Sequence, residues 1–478
     1  MMKNTKIVCT IGPACDTEVK LKQLIKNGMN VARLNFSHNV QSYHKKVLER
    51  IRKISKIEKK SIGIILDLQG PRIRLGILPK EGLKLKKGQI IVLTTKKEIF
   101  EDNIVPVTYQ KMHQDVKKGE RILIADGLME LVVEKISQSE IYCKVRVGGI
   151  IFSNKGINLP DTKVQIPAFS AKDKGDVAFG VKNEVDFIAL SFVRTVEDVY
   201  QLKALIKKAE KDQKINHKFP IKVLVKIERT EAIHNLDKIL EATDGVMVAR
   251  GDLGIELPPE DVPLLQKMII EKCLKMSKPV IVATQMLESM IDNPRPTRAE
   301  VSDVANAVID HTDATMLSGE TASGKYSQKA VAMMRDIIIK TEQSAYDNLV
   351  VRDKVNKYGA TDQAMARAAR VLVDRTKAKC ILAISYNGDI ARVLSRYRPE
   401  LPIYCATFSD RVVQQLDLSW GVYGFKIDVF KKQNIDINLA LNFLKKNKIV
   451  KKKDKIIIVN RLPIKNSDRI NQVELIEI

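Results

Sequence analysis

The stretch IILDLQGPRIRLG (residues 64–76) decides the fold, because a strand-like apolar run ends inside it and the sequence changes character after it. The run leads directly into Asp67, and a Gly-Pro turn follows, with Arg72 and Arg74 two residues apart. An unpaired buried carboxylate is strongly unfavourable. The stretch therefore predicts a cation beside Asp67: a metal ion, an ion that arrives with a substrate, or the arginines of the same loop.

Apolar runs of this kind recur along the chain and alternate with segments of helical periodicity. Parallel strands joined by helices give this pattern. The runs are KIVCTIG (6–12), VARLNFS (31–37), SIGIILDLQ (61–69), VDFIALSFV (185–193), KVLVKIE (222–228), DGVMVARGD (244–252), KPVIVATQM (278–286) and DATMLSGE (313–320). Eight such runs with intervening helices match a closed (β/α)8 barrel, so we predict an α/β protein built on a TIM barrel.

The connection between the third and fourth runs is too long for one helix. Its segments, such as RILIADGLMELVVEKI and EIYCKVRVGGII, are strand-like and rich in turns. We predict a small β-barrel domain inserted over residues 70–165, and a catalytic barrel over 1–69 and 166–347. Helical and strand-like segments alternate again near the end of the chain, which predicts an open α/β domain over 348–478.

Composition excludes several classes of protein. The chain has 478 residues, 45% hydrophobic and 29% charged, and no apolar run long enough for a membrane span. Its six cysteines are scattered and form no CxxC pair, which is typical of reduced thiols in the cytoplasm. The net charge is +24, but the dense basic segment 445–455 has no aromatic residues for base stacking. We therefore expect no membrane partner, and no nucleic acid as the main partner.

The carboxyl ends of the runs carry polar residues, and in this barrel class the chemistry lies at those ends. Lys226 and Glu228 are two residues apart and point to the same face of a buried strand. The pair is either an ion pair that fixes the barrel, or a lysine aimed at negative charge beside a carboxylate that holds a hard cation. Asp252 offers a second carboxylate, and two carboxylates suit Mg²⁺. Arg33 and Arg74 add positive charge that suits phosphate, so the residues predict a Mg²⁺-dependent enzyme acting on a phosphorylated small molecule.

Several motifs resemble those of the pyruvate kinase family in its compact bacterial form. They are RLNFSHN (33–39), VLVKIERTEAI (223–233), MVARGDLGIE (247–256), VATQMLESMI with PRPTRAEVSDVANAV (282–308) and MLSGETASGKYS (316–327). The resemblance covers essentially the whole chain and implies the three-domain fold predicted above. It also implies transfer of a phosphoryl group from phosphoenolpyruvate to ADP, giving pyruvate and ATP, in a cytoplasmic homotetramer.

The resemblance implies roles for particular residues. Glu228 and Asp252 would bind Mg²⁺ or Mn²⁺, Lys226 would stabilise the phosphoryl group and the enolate, and Arg33 would hold the phosphate. The backbone amides of Gly251 and Asp252 would receive the substrate carboxylate. Thr284 would lie beside the carbon that gains a proton, with a water relay through Ser318 and Glu320. The positions that match the nucleotide site are Asn35, Phe36, Ser37, His38, Arg74 and Lys155, and Lys155 would make the inserted domain a lid.

Two regions depart from the family pattern. Asn35, Ser37, Asp67 and Leu68 match a monovalent-cation site, but Arg72 stands where many relatives carry glutamate. We expect its guanidinium to reach the ion position and make K⁺ dispensable. Residues 385–393 carry Asn387, Asp389 and Ile390 where relatives activated by fructose 1,6-bisphosphate have hydroxyls, and the segment 459–472 lacks the usual glycines. Another sugar phosphate or a nucleotide remains open as an effector, as does a domain that serves only assembly.

Two other functions compete with this interpretation. One is a different phosphoenolpyruvate-using barrel enzyme, such as an aldolase or a phosphomutase, which the nucleotide positions His38, Arg74 and Lys155 argue against. The other is a non-catalytic basic binding protein that retains the fold. The intact Lys226 and Glu228 argue against this second alternative.

Overall fold

The first half of the barrel follows the predicted alternation of strands and helices. The computed structural model describes residues 3–96, 100, 104–348, 360–427, 430–431, 434–435, 437–461 and 470–478. The chain begins with β1 (Lys6–Thr10), α1 (Glu18–Asn27), β2 (Val31–Asn35), α2 (Gln41–Glu58) and β3 (Gly63–Asp67). Local sequence sets the ends of α1, because Thr17 accepts a hydrogen bond from the amide of Lys20 and Gly28 ends the helix at a φ of 121°.

After β3 the chain leaves the barrel and forms the inserted domain. Its elements are β4 (Ile73–Arg74), β5 (Leu83–Leu85), β6 (Ile90–Thr94), β7 (Ile104–Pro106), α3 (Met112–Asp115), β8 (Arg121–Ile124), β9 (Met129–Ser137), β10 (Glu140–Val147), β11 (Gly149–Ile151) and β12 (Gly156–Asn158). Seven strands form a sheet in the order β4-β12-β8-β9-β10-β6-β7. Leu75, next to β4, bridges to Val107, next to β7. The two edges of the sheet therefore meet, and the predicted small β-barrel is confirmed.

The second half of the barrel supplies the other five strands. The elements are α4 (Ala171–Lys182), β13 (Phe187–Leu190), α5 (Val196–Asp212), β14 (Lys222–Ile227), α6 (Thr230–His234), α7 (Leu236–Ala242), β15 (Gly245–Ala249), α8 (Arg250–Glu256), α9 (Val262–Lys275), β16 (Val280–Ala283), α10 (Arg298–Ile309), β17 (Ala314–Leu317), α11 (Gly319–Ala322) and α12 (Ser327–Glu342). Short 3₁₀ turns lie at Pro259–Asp261, Glu288–Ile291 and Ala345–Asp347. The closed order is β1-β17-β16-β15-β14-β13-β3-β2. All eight predicted runs are barrel strands, and the TIM barrel is confirmed.

The interior of the barrel is packed and closed at one end. Inward-facing residues of the strands, among them Val31, Ile65 and Met247, form one buried cluster. Leu418 of the C-terminal domain joins this cluster, so that domain covers the amino ends of the strands. The opposite faces of the strands pack against the surrounding helices in a second, larger cluster. The C-terminal domain therefore lies at the end of the barrel opposite the carboxyl ends of the strands.

The C-terminal domain is an open α/β sheet, as predicted. Its elements are α13 (Ala360–Arg375), β18 (Ala378–Ile384), α14 (Asp389–Ser395), β19 (Ile403–Thr407), α15 (Asp410–Leu416), β20 (Val422–Lys426), β21 (Phe430–Lys431), β22 (Asn434–Ile435), α16 (Ile437–Lys446), β23 (Lys455–Asn460) and β24 (Gln472–Glu477). The main sheet has the order β20-β19-β18-β23-β24, and only the edge strand β24 is antiparallel to its neighbour. The domain boundaries given above stay predictions.

In the part of the chain that the structure describes, no helix combines the length and the apolar character that crossing a membrane requires.

Candidate active site

A buried cluster of charges lies where β2, β3 and β14 end. Asp67 is the last residue of β3 and is 1% exposed. Arg33 on the adjacent β2 donates from Nε to Asp67 Oδ2 at 2.7 Å, and its Nη2 lies 2.5 Å from the same oxygen. Lys226 Nζ lies 3.7 Å from that oxygen. The cation that the sequence requires beside Asp67 is thus supplied by two other barrel strands.

Lys226 stands between two carboxylates near the end of β14. Its Nζ is 2.7 Å from Glu228 Oε1 and donates to Ser191 Oγ at 3.0 Å. Burial lowers the pKa of Lys226, but Asp67 and Glu228 outweigh burial and the pKa is raised overall. Burial likewise raises the pKa of Asp67, but Lys226 and Arg33 hold it below its ordinary value. Both groups are therefore charged at neutral pH, and the site presents a fixed ammonium group.

Glu228 and Asp252 fit a divalent cation. Glu228 is 1% exposed, and its Oε2 accepts a hydrogen bond from the amide of Phe192 at 2.6 Å. Its Oε1 accepts no hydrogen bond of good geometry, despite the close approach of Lys226. Burial raises the pKa of Glu228, and Asp252 raises it further while Lys226 opposes both. A buried carboxylate that faces an ammonium group, with a second carboxylate near enough to act on its charge, suits Mg²⁺.

The described residues contain no fuller metal centre. Among them, no group of three or more His, Cys, Asp and Glu side chains is arranged to hold a metal ion. A Mg²⁺ ion commonly takes one or two protein carboxylates and completes its shell with substrate oxygens and water. A site with two carboxylates therefore requires a substrate that brings oxygen ligands.

The structure brings Thr284 and Gly251 together at the ends of β15 and β16. The amide of Gly251 donates to Thr284 Oγ1 at 2.8 Å, and that hydroxyl donates to the carbonyl of Ala283 at 2.6 Å. Thr284 has a φ of 68°, which a β-branched residue rarely adopts. A substrate carboxylate at the Gly251 amide would have to replace the threonine hydroxyl as its acceptor.

The two residues expected to form a water relay lie at the end of β17. Glu320 is 2% exposed, and it accepts hydrogen bonds from the amides of Leu287 at 3.0 Å and Ser318 at 2.7 Å. Burial raises the pKa of Glu320 above its ordinary value. Ser318 Oγ is buried and has no hydrogen-bond partner among the described residues. A polar atom of this kind is a natural partner for a bound water molecule.

The predicted nucleotide positions divide between two domains. In the barrel, Asn35 Oδ1 accepts from the amide of Ser37 at 3.1 Å, and the Phe36 ring stacks on His44 at 4.1 Å. His38 is present in the same turn, where its carbonyl bonds the His44 ring at 2.8 Å.

The other two nucleotide positions, Arg74 and Lys155, lie together in the inserted domain. Arg74 on β4 pairs with Gly156 on β12, directly after Lys155, and Arg74 Nη1 donates to the carbonyl of Asn154 at 2.9 Å. Among the described residues, no hydrogen bond or ion pair joins Arg74 or Lys155 to residues 35–38.

Arg72 does not lie where the sequence predicted. Its Nη2 donates to Asp126 Oδ1 of the inserted domain at 2.8 Å, so in this structure it is not at Asp67. The prediction of that contact is wrong here, because Arg33 and Lys226 are the cations beside Asp67, and the Arg72 guanidinium pairs with the exposed Asp126. The carbonyl of Leu68 accepts a hydrogen bond from Ser191 Oγ at 2.7 Å, and its role in a monovalent-cation site stays a prediction.

Two polar residues of the cluster were missed by the sequence reasoning. Ser191 links Lys226, Leu68 and Asp67, the last at 3.3 Å. Thr10 Oγ1 accepts from Arg33 Nη1 at 2.9 Å. Their positions in the sequence could have identified them, because Ser191 directly follows β13 and Thr10 ends β1. Polar residues at those two strand ends belong to the same ring as the residues that were identified.

The predicted effector region is partly described. The Asp389 carboxylate pairs with Arg392 at 2.5 Å and accepts from Asn387 at 2.7 Å, while Ile390 is buried. Burial raises the pKa of Asp389, but Arg392 outweighs it and holds the pKa below its ordinary value. An anionic carboxylate there disfavours phosphate. Residues 462–469 of the second loop lie outside the described residues.

Comparisons with known proteins agree with this geometry. The family model "Pyruvate kinase, barrel domain" matches residues 2–331, and "Pyruvate kinase, alpha/beta domain" matches residues 363–476. A pyruvate kinase of Sporosarcina psychrophila is 40% identical over 99% of this chain and 80% of its own length. One of Clostridium acetobutylicum is 38% identical over 99% of each chain.

A solved structure shares the whole architecture. The crystal structure of a pyruvate kinase from Cryptosporidium parvum superimposes with a TM-score of 0.91 and 37% identity, over 99% of this chain and 96% of that one. The three-domain fold, the polar ring at the barrel mouth and the full-length matches lead to one assignment. The chain belongs to the pyruvate kinase family and is an enzyme of the phosphotransferase class.

Proposed function

We propose that the chain transfers the phosphoryl group of phosphoenolpyruvate to ADP, giving pyruvate and ATP in the last step of glycolysis. The observation that carries the proposal is the position of Lys226, a buried ammonium group held between Asp67 and Glu228 at the carboxyl end of the barrel. Phosphoryl transfer gains most from fixed positive charge at the oxygens where negative charge moves. Lys226 would stabilise both the phosphoryl group and the enolate that remains.

Arg33 would hold the phosphate that is transferred. Its guanidinium is anchored through Asp67 and Thr10, which fixes its orientation before substrate binds. The remaining N–H donors of a planar guanidinium suit phosphate oxygens. The amides of Gly251 and Asp252 would receive the substrate carboxylate at the start of α8.

Glu228 and Asp252 would hold a Mg²⁺ or Mn²⁺ ion. When bound there, the ion supplies positive charge that neutralises the phosphate and carboxylate oxygens of the substrate. The burial of Glu228 and the electrostatic effect of Asp252 on it support this proposal, because both place the two carboxylates in one neighbourhood.

The enolate needs a proton, and Thr284 would lie beside the carbon that receives it. A threonine hydroxyl is a weak acid, and here its proton is engaged with the carbonyl of Ala283. A water molecule bonded to Ser318 Oγ would relay a proton from solvent to the carbon, with Glu320 orienting the backbone of that turn. Thr284 would then position the methylene group and not supply the proton itself.

ADP would bind between the barrel and the inserted domain. Asn35, Phe36, Ser37 and His38 lie on the barrel side, and Arg74 and Lys155 lie on the lid side. Closure of the inserted domain would bring the two sides together and exclude water from the phosphates.

The monovalent-ion positions Asn35, Ser37, Asp67 and Leu68 are proposed to work without K⁺. Arg33 and Lys226 already balance the charge of Asp67, and Arg72 adds a further cation to the same loop. We propose in addition a cytoplasmic homotetramer and an effector other than fructose 1,6-bisphosphate in the C-terminal domain.

The test is pyruvate formation by the full chain from phosphoenolpyruvate and ADP with Mg²⁺. Pyruvate and ATP formed in equal amounts are the expected result, with similar rates in K⁺ and in tetramethylammonium buffer. Consumption of phosphoenolpyruvate without ATP would point to the aldolase or phosphomutase class. No turnover under any of these conditions would favour a binding protein that retains the fold.

A further inference from the structure

A groove of about 880 Å³ lies between the barrel and the C-terminal domain. One wall is formed by the end of α2 and the chain that leads into β3, and the other by residues 218–219 before β14 and the start of α15. These segments lie at the amino ends of the barrel strands, so the groove is at the opposite end from the candidate active site. Its volume is in the range of small-molecule sites, about 300–1,000 Å³.

The walls of this groove carry a large excess of positive charge. Six basic side chains line it against the two acids Glu184 and Asp410; they are Arg52, Lys56, Lys59, Lys60, Lys218 and Arg411. Asp410 is engaged elsewhere, because its carboxylate pairs with Lys426 at 2.8 Å. Buried or enclosed charge of one sign is favourable only with a counter-charge.

Four of the six cations form no ion pair with a carboxylate of the described residues. Arg52 pairs with Asp186 at 2.9 Å, and Arg411 donates to the carbonyl of Phe219 at 3.3 Å. Lys56, Lys59, Lys60 and Lys218 are exposed, and no described carboxylate lies within ion-pair distance of their ammonium groups. The groove therefore has cations available to a ligand.

Helix electrostatics explains only part of this arrangement. Lys56 lies in the last turn of α2, where a cation favours the helix dipole, and Lys59 caps that helix. Lys218 and Arg411 belong to the other wall, so they do not stabilise the dipole of α2. Lys218 lies over the Phe408 ring, 4.3 Å from its centroid, which directs its ammonium group to the groove lining. Two separate cationic walls suit a ligand with at least two anionic groups.

We propose that this groove binds a phosphorylated small molecule with at least two anionic groups. One group would contact the lysines at the end of α2, and the other would contact Lys218 and Arg411. Its limited volume, about 880 Å³, suits a small molecule rather than a nucleic acid, which needs a longer cationic track. Such a ligand would bridge the C-terminal domain and the segment that enters β3, whose far end carries Asp67.

The test is isothermal titration of the full chain with inorganic tripolyphosphate at physiological ionic strength. The variant K56Q/K59Q/K218Q removes three groove cations, and K451Q/K452Q/K453Q removes three exposed lysines outside the groove. We expect the groove variant to bind about tenfold more weakly or worse, and the control to stay within about twofold of the parent. Phosphate-binding residues at the barrel mouth are unchanged in both, so binding there contributes equally.

Three outcomes would overturn the proposal. The first is an equal loss of tripolyphosphate affinity in the groove variant and in the control variant. The second is an unchanged affinity in the groove variant. The third is binding of single-stranded RNA that depends on the groove lysines and is tighter than the binding of tripolyphosphate. The variant K56R/K59R/K218R should retain binding, which separates lost charge from a folding defect. The readout does not use catalysis, so it stands or falls independently of the proposed reaction.

Discussion

Asp67 and Asp313 are both buried aspartates of the barrel, but they lie at opposite ends and are held in different ways. Asp67 ends β3 and is surrounded by side chains: Arg33, Lys226 and Ser191. Asp313 precedes β17 and is 4% exposed. It accepts from the backbone amides of Val280 at 3.1 Å and Trp420 at 3.0 Å, and pairs with Arg398 at 3.1 Å.

The difference separates a structural charge from a functional one. The backbone donors at Asp313 cannot move unless β16 or the C-terminal domain moves, so that carboxylate fastens two domains together. The side-chain cations at Asp67 can exchange their partner for a substrate oxygen without any change of fold. Burial of charge alone therefore does not identify a site, whereas side-chain partners at the open end of the barrel do.

Among the variants that test this difference, Lys226→Met is expected to have the largest effect. Loss of a preorganised cation at the site of charge transfer should lower kcat/KM for pyruvate formation by about 10³-fold or more. The unfolding midpoint should change little, because Arg33 still pairs with Asp67 and because burial raises the pKa of Glu228, so that Glu228 takes up a proton once the ammonium group is gone.

Lys222→Met is the matched control for that variant. Lys222 starts the same strand and pairs with Asp244 at 3.1 Å, at the end of the barrel away from the site. The Lys222→Met variant should keep nearly full activity in pyruvate formation. Similar turnover in the Lys226 and Lys222 variants would refute the role assigned to Lys226.

Asp313→Asn tests the other half of the comparison. The change leaves Arg398, which is 1% exposed, without its carboxylate, and breaking such a buried pair costs about 3 kcal/mol or more. We expect earlier unfolding in urea with kcat and KM nearly unchanged. Asp410→Asn removes an exposed partner of Lys426 and should cost less than about 1 kcal/mol. Equal losses in the two variants would contradict a fastening role for Asp313.

Sequence reasoning recovered what depends on local pattern. The eight strands and the polar residues at their carboxyl ends follow from strand periodicity and from the barrel rule, so Lys226, Glu228 and Asp67 were placed in one ring. Ser191 and Thr10 were equally accessible by that rule and were missed because two strand ends were not considered.

Contacts between distant segments were not accessible in this way. Arg72 meets Asp126, 54 residues further on, because β12 pairs with both β4 and β8 and brings their ends together in the inserted barrel. That barrel closes through a single bridge between Leu75 and Val107, next to strands of two and three residues. Such short edges carry no periodic signal.

Arg72→Glu asks whether the cation near Asp67 comes from the chain or from solution. A glutamate would add negative charge to the loop and recreate the pattern of the K⁺-dependent relatives. We expect K⁺ to stimulate this variant by about tenfold and the parent by less than about twofold. Asp126→Asn releases Arg72 from its present partner without adding negative charge, and it should leave the parent behaviour unchanged. Equal stimulation of the parent and the Glu variant would remove the assigned role of Arg72.

A dependence of stability on pH is expected at the junction that Asp313 fastens. Asp347 is buried, and burial, reinforced by Glu342 and Glu400, raises its pKa to about 8 against the opposing effect of Arg398. The neighbouring His311 has Nδ1 at 3.7 Å from Asp347 Oδ1, and burial together with Arg398 lowers the pKa of His311 to about 4. Between these two values both side chains are neutral.

The sign of the pH dependence follows from the raised pKa of Asp347. Between its ordinary value of 3.8 and about 8 the folded state keeps a proton that the unfolded state has lost, so stability falls as pH rises through this window. Asp347→Asn should therefore match the parent near pH 4 and unfold at a higher temperature near pH 8. The lowered pKa of His311 reduces the stability of the parent only as pH falls below about 6.5. His311→Gln should therefore leave unchanged the loss of stability between about pH 6.5 and pH 8. If the unfolding temperatures of Asp347→Asn and the parent change with pH in the same way from pH 5 to pH 8, then Asp347 is ionised in the folded state. Its charge is in that case balanced by Arg398.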